Sequence, residues 1–344
     1  MTTFLIGAIG GDSNAGSGAT LDATLDNATL AGVYMFDRAN PGTPRLATSA
    51  LMEQGANGNQ GMSANRVGSS VKFFQNLMSR GKIRPDCNLL LVGCAQAGTA
   101  FQNYWATTGS RLALGATTDN GSGTFYGQIN AALALGTNSR MLSVDWNHGE
   151  NDGSTTQTQY QNNIIGTFGE VRANIPTAER IPILVTGCPP DRQDPNLGAQ
   201  VNMGGVCLAQ QNVASYLENA VYVDPTGLHS YLNGGSGGGG GFVHFTRNAH
   251  LGGVDNSLSI GSEWASGTTY AAQAVNVIKV VLGSDGWYYY SKQAGNLGND
   301  PSLDTPGTWW GKTYQYGQTE SNPLSERKYN ALINMKWPMT CTWS

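Results

Sequence analysis

Residues 4–14 read FLIGAIGGDSN, an apolar run that ends in two glycines and three polar residues. A short apolar run rich in branched side chains is typical of a buried strand. Glycine, aspartate, serine and asparagine together favour a tight turn or the start of a helix. The stretch therefore predicts a strand over residues 4–9 that leads directly into a sharp turn bearing Ser13.

Four further apolar runs are similar to the first and are also predicted as strands. They cover residues 89–92, 141–144, 181–185 and 220–223. Segments with helical spacing lie between the strands, at residues 70–78, 126–135, 160–173 and 209–217. Strands that alternate with helices favour βαβ units and a parallel sheet, so we predict an α/β fold.

Polar segments follow four of the predicted strands. These segments are residues 11–14, 93–99, 146–152 and 224–229. The carboxyl ends of parallel strands meet along one edge of a sheet, which is where α/β proteins of this kind bind their ligands. We therefore expect the four segments to lie at the same site.

The charge and hydropathy of the chain exclude several classes of function. The 19 Lys and Arg against 23 Asp and Glu give a formal charge of −4, without a basic run, so the attraction that drives nucleic-acid binding is missing. No apolar stretch approaches the roughly 20 residues that span a bilayer. The N-terminus lacks the basic region and the apolar core of a signal peptide. We expect neither nucleic acid nor a membrane as a partner.

The sequence predicts neither a cofactor nor a metal site. The five cysteines lack CxxC spacing and are odd in number, so we expect buried thiols. His148 and Glu150 lack the helical His pair of a zinc site. The glycine-rich residues 234–241 lack the Lys-Ser/Thr ending of a phosphate loop and are predicted to form a flexible loop.

Ester hydrolysis by a serine requires three groups. A hydroxyl must be held at a sharp turn, an imidazole must take its proton, and N–H donors must face the developing oxyanion. Gly11-Asp12-Ser13 after a strand meets the first requirement. Taken alone, these residues also form an ordinary turn and helix-start sequence. The other polar segments must therefore decide between the two interpretations.

Four segments stand in the order of the sequence blocks of SGNH hydrolases. They are GDSN at 11–14, Gly98-Thr99 with Trp105 after it, WNHGEND at 146–152 and VHFT at 243–246. They most resemble the branch that contains sialate O-acetylesterases and acetylxylan esterases, in which the third block is Trp-x-Gln-Gly-Glu-x-Asp. The resemblance covers residues 4–255, and residues 146–152 are its most specific part. It implies a flavodoxin-like three-layer α/β/α domain with a five-stranded parallel sheet.

The resemblance implies a role for each matching residue. Ser13 becomes the nucleophile and His244 the general base, while the backbone N–H groups of Ser13 and Gly98 become oxyanion-hole donors. The family's Gln is His148 here, so an imidazole N–H becomes the third donor. Alternatively, His148 lines the substrate pocket. The candidate substrate-binding residues of this domain are Asn14 and Thr99.

One position departs from the family pattern. Three residues before His244, where the family carries the acid that orients the imidazole, this chain has Gly241. Asp224 and Glu150 are the candidate orienting acids. His229, five residues after Asp224, is the alternative general base. We prefer His244 because the residues that follow it match the family block better.

The character of the sequence changes after residue 255. Tryptophan and tyrosine crowd into residues 264–316 with turn residues between them, which favours a small antiparallel β module at residues 257–318. Residues 286–292, GWYYYSK, resemble the chitin-binding-like aromatic modules of phage tail proteins and secreted glycan hydrolases. Trp287 and Trp309 are candidate sugar contacts. Alternatively, the aromatics form the core of the module or a subunit interface.

These patterns predict an esterase domain at residues 1–255, the aromatic module at 257–318 and a tail at 319–344. The expected function is a serine esterase that removes O-acetyl groups from a carbohydrate or surface polysaccharide through an acyl-enzyme on Ser13. The alternative is a non-catalytic glycan-binding or structural virion protein on the same scaffold. The expected partner is an acylated glycan, with a homo-oligomer or virion assembly as a further candidate. We expect a virion-associated or extracellular protein, with a cytoplasmic location as the alternative.

Overall fold

The computed structural model describes residues 3–16, 19–22, 24, 26–38, 40–48, 66–101, 105, 125–190, 203–231, 244–254, 262–271, 280–315 and 319–335. Gly241, the predicted loop at 234–241 and Cys341 lie outside the described residues. The other four cysteines are buried free thiols, as the sequence predicts. None of the described helices has the length and apolar character needed to cross a membrane.

The first 251 residues contain short and long strands interleaved with helices. The strands are β1 (Thr3–Gly11), β2 (Ala19–Thr20), β3 (Val33–Met35), β4 (Arg45–Leu46), β5 (Arg66–Val67), β6 (Cys87–Gly93), β7 (Arg140–Asn147), β8 (Ile183–Thr186), β9 (Ala220–Val223), β10 (Ser230–Tyr231) and β11 (His244–Phe245). The helices are α1 (Ser13–Gly16), α2 (Ser70–Ser79), α3 (Phe125–Leu133), α4 (Gln157–Asn174), α5 (Gly204–Gln211), α6 (Val213–Tyr216) and α7 (Arg247–Leu251). Each of the predicted strands and helical segments corresponds to one or two of these elements.

Seven of the strands form the central sheet, in the order β4-β3-β6-β1-β7-β8-β9. All neighbouring pairs are parallel except β3 and β4. The α/β prediction is confirmed, and all five predicted strands belong to this sheet. The predicted number of five strands is too low, because β3 and β4 are only three and two residues long and leave no periodic pattern in the sequence.

Alternate side chains of β1 enter different hydrophobic layers. Ile6 and Ala8 face a core that includes Phe125 of α3 and Phe168 of α4. Leu5 and Ile9 face the other core, in which the sheet packs against α2. Because successive side chains of a strand point to opposite faces, one central strand supports both layers. The result is the three-layer α/β/α arrangement that the resemblance implies.

The aromatic module contains a separate sheet. Its strands and those that flank it are β12 (Gly253–Val254), β13 (Ser262–Glu263), β14 (Thr269–Tyr270), β15 (Val280–Leu282), β16 (Trp287–Ser291), β17 (Asn296–Leu297), β18 (Trp310–Gln315) and β19 (Thr319–Glu320). Four of them form a sheet in the order β13-β15-β16-β18, which is antiparallel except for the first pair. The module is therefore mainly antiparallel β structure.

The aromatic side chains of the module mostly form its core. Tyr289 and Trp310 are buried together with Val281, and both Trp287 and Trp309 pack against them. Lys312 Nζ lies 4.2 Å from the centre of the Trp287 ring. These contacts match the core-packing alternative, and sugar binding by the half-buried Trp287 and Trp309 stays a prediction.

Residues 319–335, which belong to the predicted tail at 319–344, return to the first domain. β19 pairs with β12, so the chain enters and leaves the module at adjacent positions. After it, α8 (Leu324–Asn334) buries Leu324 and Leu332 in the core beside α2. The sequence did not indicate this helix as a core element because it is rich in polar residues.

A buried ion pair fastens α8 to the sheet. Lys328 Nζ lies 2.8 Å from the Asp145 carboxylate of β7. Both side chains are buried, with at most 1% of either exposed. Ser70 Oγ donates a second hydrogen bond to Asp145, at 2.7 Å. Burial lowers the pKa of Lys328, and the Asp145 carboxylate opposes that shift. The cation is thus held in the protein interior by one carboxylate.

Lys328→Met is expected to destabilise the protein by about 3–5 kcal/mol, because it leaves the buried Asp145 charge without its counterion. The double substitution Lys328→Met/Asp145→Leu removes both charges and is expected to recover much of that loss. Urea unfolding followed by circular dichroism measures both. Equal stability of Lys328→Met and the wild type would contradict this role of the ion pair.

Candidate active site

The turn that carries Ser13 forms at the end of β1, beside Asn147 of β7. Gly11 has a φ of 120°, and a Cβ atom at this position would overlap the carbonyl group of Asn147. Glycine is therefore required here by both the backbone conformation and the space. Asp12 N donates a hydrogen bond to the same carbonyl, at 2.8 Å. Ser13 follows at the first position of α1, at the carboxyl edge of the sheet.

Ser13 and His244 are brought together although they are 231 residues apart. Ser13 Oγ lies 2.7 Å from His244 Nε2, which is hydrogen-bond distance. His244 belongs to β11, which pairs with β10, and Thr246 caps the helix α7 that follows. The alternative base His229 contacts this segment through its backbone. Its carbonyl oxygen accepts a hydrogen bond from Thr246 N at 2.9 Å. The geometry favours His244 over His229 as the partner of Ser13.

Several N–H groups converge on the carboxylate of Asp12. The backbone N–H groups of Ser13 and Gly98 both donate to Asp12 Oδ1 at 2.7 Å. The side-chain amide of Asn151 donates to Asp12 Oδ2. These three donors come from the segments after β1, β6 and β7. Two of them are the backbone donors that the resemblance assigns to an oxyanion hole.

Asn151, rather than His148, makes the third of these hydrogen bonds to Asp12. His148 is completely buried, and its Nδ1 atom lies 3.1 Å from Asp152 Oδ2. Asn151 is exposed and reaches Asp12 from the same block of residues. A signal was present in the sequence, since the amide of Asn151 stands only three residues after His148 and is an equally good N–H donor.

His148 instead helps to hold the third block in place. The other oxygen of its partner Asp152 accepts a hydrogen bond from Phe101 N at 2.9 Å. The carbonyl oxygen of His148 accepts hydrogen bonds from Tyr160 at 2.9 Å and from Gln210 at 2.6 Å. These contacts link β7 to the neighbouring loop and to α4 and α5. The two roles that the sequence suggests for His148, oxyanion donor or pocket lining, stay predictions beside these structural contacts.

The two predicted substrate-binding residues of this domain, Asn14 and Thr99, are completely buried. Asn14 Nδ2 donates to Glu150 Oε1 at 2.6 Å, and Asn14 Oδ1 accepts from Phe245 N at 3.1 Å. Thr99 Oγ1 donates to the carbonyl of Gln96 at 3.0 Å. Both side chains thus bind other parts of the protein, and their assignment as substrate contacts stays a prediction.

The two candidate orienting acids lie in different surroundings. The Asp224 carboxylate is exposed and accepts hydrogen bonds from the N–H and hydroxyl of Thr226, at 2.9 and 2.7 Å. The Asp224 side chain thus stabilises a local turn. Glu150 is completely buried and contacts Asn14, the residue next to Ser13. Of the two, only Glu150 belongs to the contacts described around Ser13.

Burial dominates the electrostatics behind Ser13. It raises the pKa of the Asp12 carboxyl, against the opposing effects of His148 and of the N–H donors. It also raises the pKa of Glu150 to about 7, with a further contribution from the nearby Asp12. Burial lowers the pKa of His148, but Asp152, Asp12 and Glu150 together raise it above its ordinary value. Within the described residues, no three His, Cys, Asp or Glu side chains are grouped so that they could hold a metal ion.

The stability of the protein is expected to fall as the pH rises from 4.5 to about 7. Glu150 binds its proton more tightly in the folded than in the unfolded state, so its contribution is full below pH 4.5 and is lost through about pH 7. Glu150→Gln cannot lose a proton and is expected to flatten this part of the curve. Urea unfolding of both proteins across this range measures the difference. Parallel curves would contradict the raised pKa.

Comparison with known proteins agrees with this geometry. The model of a family described as carbohydrate esterase, sialic acid-specific acetylesterase, matches residues 11–251. No curated protein sequence shows significant similarity to the chain. A solved structure of a protein from Arabidopsis thaliana is similar to 73% of this chain and 94% of its own, with 18% identity and a TM-score of 0.51, which supports the fold.

Two further solved structures are more distant. NanS is similar to 68% of this chain and 82% of its own, with 14% identity and a TM-score of 0.46. A carbohydrate acetylesterase from Xanthomonas citri is similar to 83% of this chain and 62% of its own, with 13% identity and a TM-score of 0.44. The family match covers more than half of the chain and includes Ser13, Gly98 and His244. The chain therefore belongs to the carbohydrate esterase family of sialic acid-specific acetylesterases and is a carboxylic ester hydrolase.

Proposed function

We propose that this protein is a serine esterase that removes O-acetyl groups from a carbohydrate through an acyl-enzyme on Ser13. The observation that carries the proposal is the distance of 2.7 Å between His244 Nε2 and Ser13 Oγ. An imidazole at this distance can take the hydroxyl proton as the oxygen attacks an ester carbonyl. Membership of a family of carbohydrate acetylesterases supports an acetylated sugar as the substrate.

The first half of the reaction transfers the acetyl group to the enzyme. Ser13 Oγ attacks the carbonyl carbon of the acetyl ester while His244 Nε2 takes the hydroxyl proton. The tetrahedral intermediate then expels the sugar oxygen. His244 gives its proton to this oxygen, so the sugar leaves as a free hydroxyl.

The second half returns the enzyme to its initial state. His244 Nε2 takes a proton from water as the water oxygen attacks the acetyl carbon on Ser13. The bond to Ser13 Oγ breaks, acetate leaves, and the serine oxygen regains its proton from His244. The balance is one ester and one water converted into one alcohol and one acetic acid.

The negative charge on the intermediate needs N–H donors. We assign this role to Ser13 N, Gly98 N and the side-chain amide of Asn151, which takes the place of His148 in our assignment. The three groups already point to a single anion, the Asp12 carboxylate. In the reaction the oxyanion takes these donors over from Asp12. The donors are already held in place, which lowers the barrier, but this gain is reduced by the cost of leaving the buried Asp12 carboxyl with fewer hydrogen bonds.

The aromatic module is proposed as an aid to glycan recognition. Trp287 and Trp309 are only partly buried against the module core, so part of each ring stays accessible to a sugar face. A surface polysaccharide is the substrate class that would benefit from a second contact on the same chain. The virion-associated or extracellular location stays a prediction.

Ser13→Ala is expected to lower kcat/KM for p-nitrophenyl acetate and for an acetylated sugar by at least about 10³-fold, because the nucleophile is lost. Ser321→Ala changes an exposed serine and serves as the control. Treatment with a fluorophosphonate followed by peptide mapping should modify Ser13 in the wild type. Full activity of Ser13→Ala would refute the proposed mechanism.

Asn151→Ala is expected to lower kcat by about 10²–10³-fold with little change in KM, because an oxyanion donor acts mainly in the transition state. Asn174→Ala, at an exposed asparagine of α4, is the matched control. Steady-state kinetics with p-nitrophenyl acetate measures both. An unchanged kcat of Asn151→Ala would exclude Asn151 as the third donor.

A further inference from the structure

Asn14 joins the nucleophile segment to two other parts of the site. It follows Ser13 directly in the chain and is completely buried. Its side-chain oxygen Oδ1 accepts a hydrogen bond from the backbone N–H of Phe245, at 3.1 Å. Its amide nitrogen donates to Glu150 Oε1, at 2.6 Å. One side chain therefore connects the segment after β1, the segment after β7 and the strand that bears the base.

The contact with Phe245 fixes the backbone next to His244. The two residues are adjacent in β11, so a shift of the Phe245 amide also shifts the imidazole. β11 pairs with β10 over only two residues on each strand, which is little support for a catalytic side chain. The hydrogen bond from Asn14 is an additional support, and it comes from the residue beside Ser13. It thus acts directly on the separation between Ser13 and His244.

Two contacts fix the direction of the Asn14 amide. An asparagine side chain can turn by half a rotation and exchange its oxygen and nitrogen. The Phe245 N–H can only donate, so it requires the Asn14 oxygen, and Glu150 holds the nitrogen at the other end of the amide. Glu150 is itself completely buried and belongs to the anchored third block. The chain of contacts therefore starts at a segment that several hydrogen bonds hold in place.

We propose that Asn14 and Glu150 are positioning residues: Glu150 orients the general base through Asn14 and the Phe245 backbone, and it acts as a hydrogen-bond acceptor. This inference rests on the proposed function, in which His244 activates Ser13. It gives Glu150, one of the two candidate orienting acids, a role that needs no contact with the imidazole ring. It also gives the asparagine after the nucleophile a role other than binding substrate.

The surroundings of Glu150 favour an acceptor over a fixed negative charge. The titratable groups that interact with it electrostatically are the Asp12 carboxyl, the His148 imidazole, the Tyr160 hydroxyl and the thiols of Cys188 and Cys207. Burial and Asp12 raise its pKa to about 7, so its neutral form persists into the neutral range. A protonated carboxyl still accepts a hydrogen bond from Asn14 through its carbonyl oxygen.

The first test compares Glu150→Gln with Glu150→Ala. Glutamine keeps an oxygen that can accept from Asn14, so Glu150→Gln is expected to keep nearly all of the wild-type kcat. Glu150→Ala removes the acceptor and is expected to lower kcat by about 10²-fold with little change in KM, as a small misplacement of a catalytic group does. A Glu150→Gln protein as inactive as Glu150→Ala would overturn the proposal, because the charge would then be essential. Wild-type activity of Glu150→Ala would also overturn it.

The second test reverses the polarity of the hydrogen bond. Asn14→Asp places two carboxyl groups against each other, which hold together only while they share a proton. Its kcat is expected to fall as the pH rises through the neutral range, where the two groups both ionise and repel. In Asn14→Asp/Glu150→Gln the new amide can donate to the new carboxylate, whose second oxygen still accepts from Phe245 N. The double variant is therefore expected to regain activity at neutral pH and to lose this extra pH dependence.

These tests separate failure of the inference from failure of the proposed function. Ser13→Ala is assayed beside them. An active Ser13→Ala protein defeats the proposed mechanism, whereas an inactive one together with a fully active Glu150→Ala protein defeats only the positioning role. Thermal melts and near-UV circular dichroism at each pH show whether a variant is folded. If Glu150→Ala does not fold, the pH profiles of Asn14→Asp and its double variant decide, and failure of the second substitution to rescue the first would contradict the proposal.

Discussion

The carboxylate of Asp12 gathers N–H groups from the three segments that form the site. Its two oxygens accept hydrogen bonds from Ser13 N, Gly98 N and the Asn151 side-chain amide, which belong to the segments that follow β1, β6 and β7. A carboxylate without exposed surface carries a desolvation cost of several kcal/mol, and hydrogen bonds from N–H groups are the means by which proteins offset it. The loops therefore cannot move apart without leaving this group unsatisfied. Their mutual placement follows from one buried side chain next to the nucleophile.

The parts of the fold that could be predicted from the sequence are those with long or repeated patterns. β1, β6 and β7 are seven to nine residues long and mostly apolar, and the helices beside them show helical spacing. β3 and β4 could not be predicted because they are only three and two residues long, and β3 joins the sheet through β6, which lies far along the chain. The same holds for α8, since the burial of Lys328 is made possible by Asp145 and leaves no local signal.

Candidate residues of the site could be predicted because the order of the sequence blocks indicates which residues take part in the reaction. Ser13 and His244 were identified from their blocks, and the structure brings them to hydrogen-bond distance. Which polar side chain of a block lies beside Ser13 and Asp12 is decided by tertiary contacts. The contact with Asp152 holds His148 in the interior. The hydrogen bonds of Asn14 with Glu150 and Phe245 hold the Asn14 side chain in the interior as well. Spacing along the chain does not contain this information.

The pairing of β12 with β19 affects the order in which the parts of the esterase domain are synthesised and packed. The aromatic module leaves and rejoins the esterase domain at neighbouring strands, so it is an insertion within that domain rather than an appendage after it. Lys328 follows its buried partner Asp145 by 183 residues. On the ribosome, β7 is therefore made long before the cation that neutralises it, and the sheet face that receives α8 stays open while the module is synthesised. A boundary drawn in front of the module would divide a single hydrophobic core, and residues on both sides of the insertion belong to one folding unit.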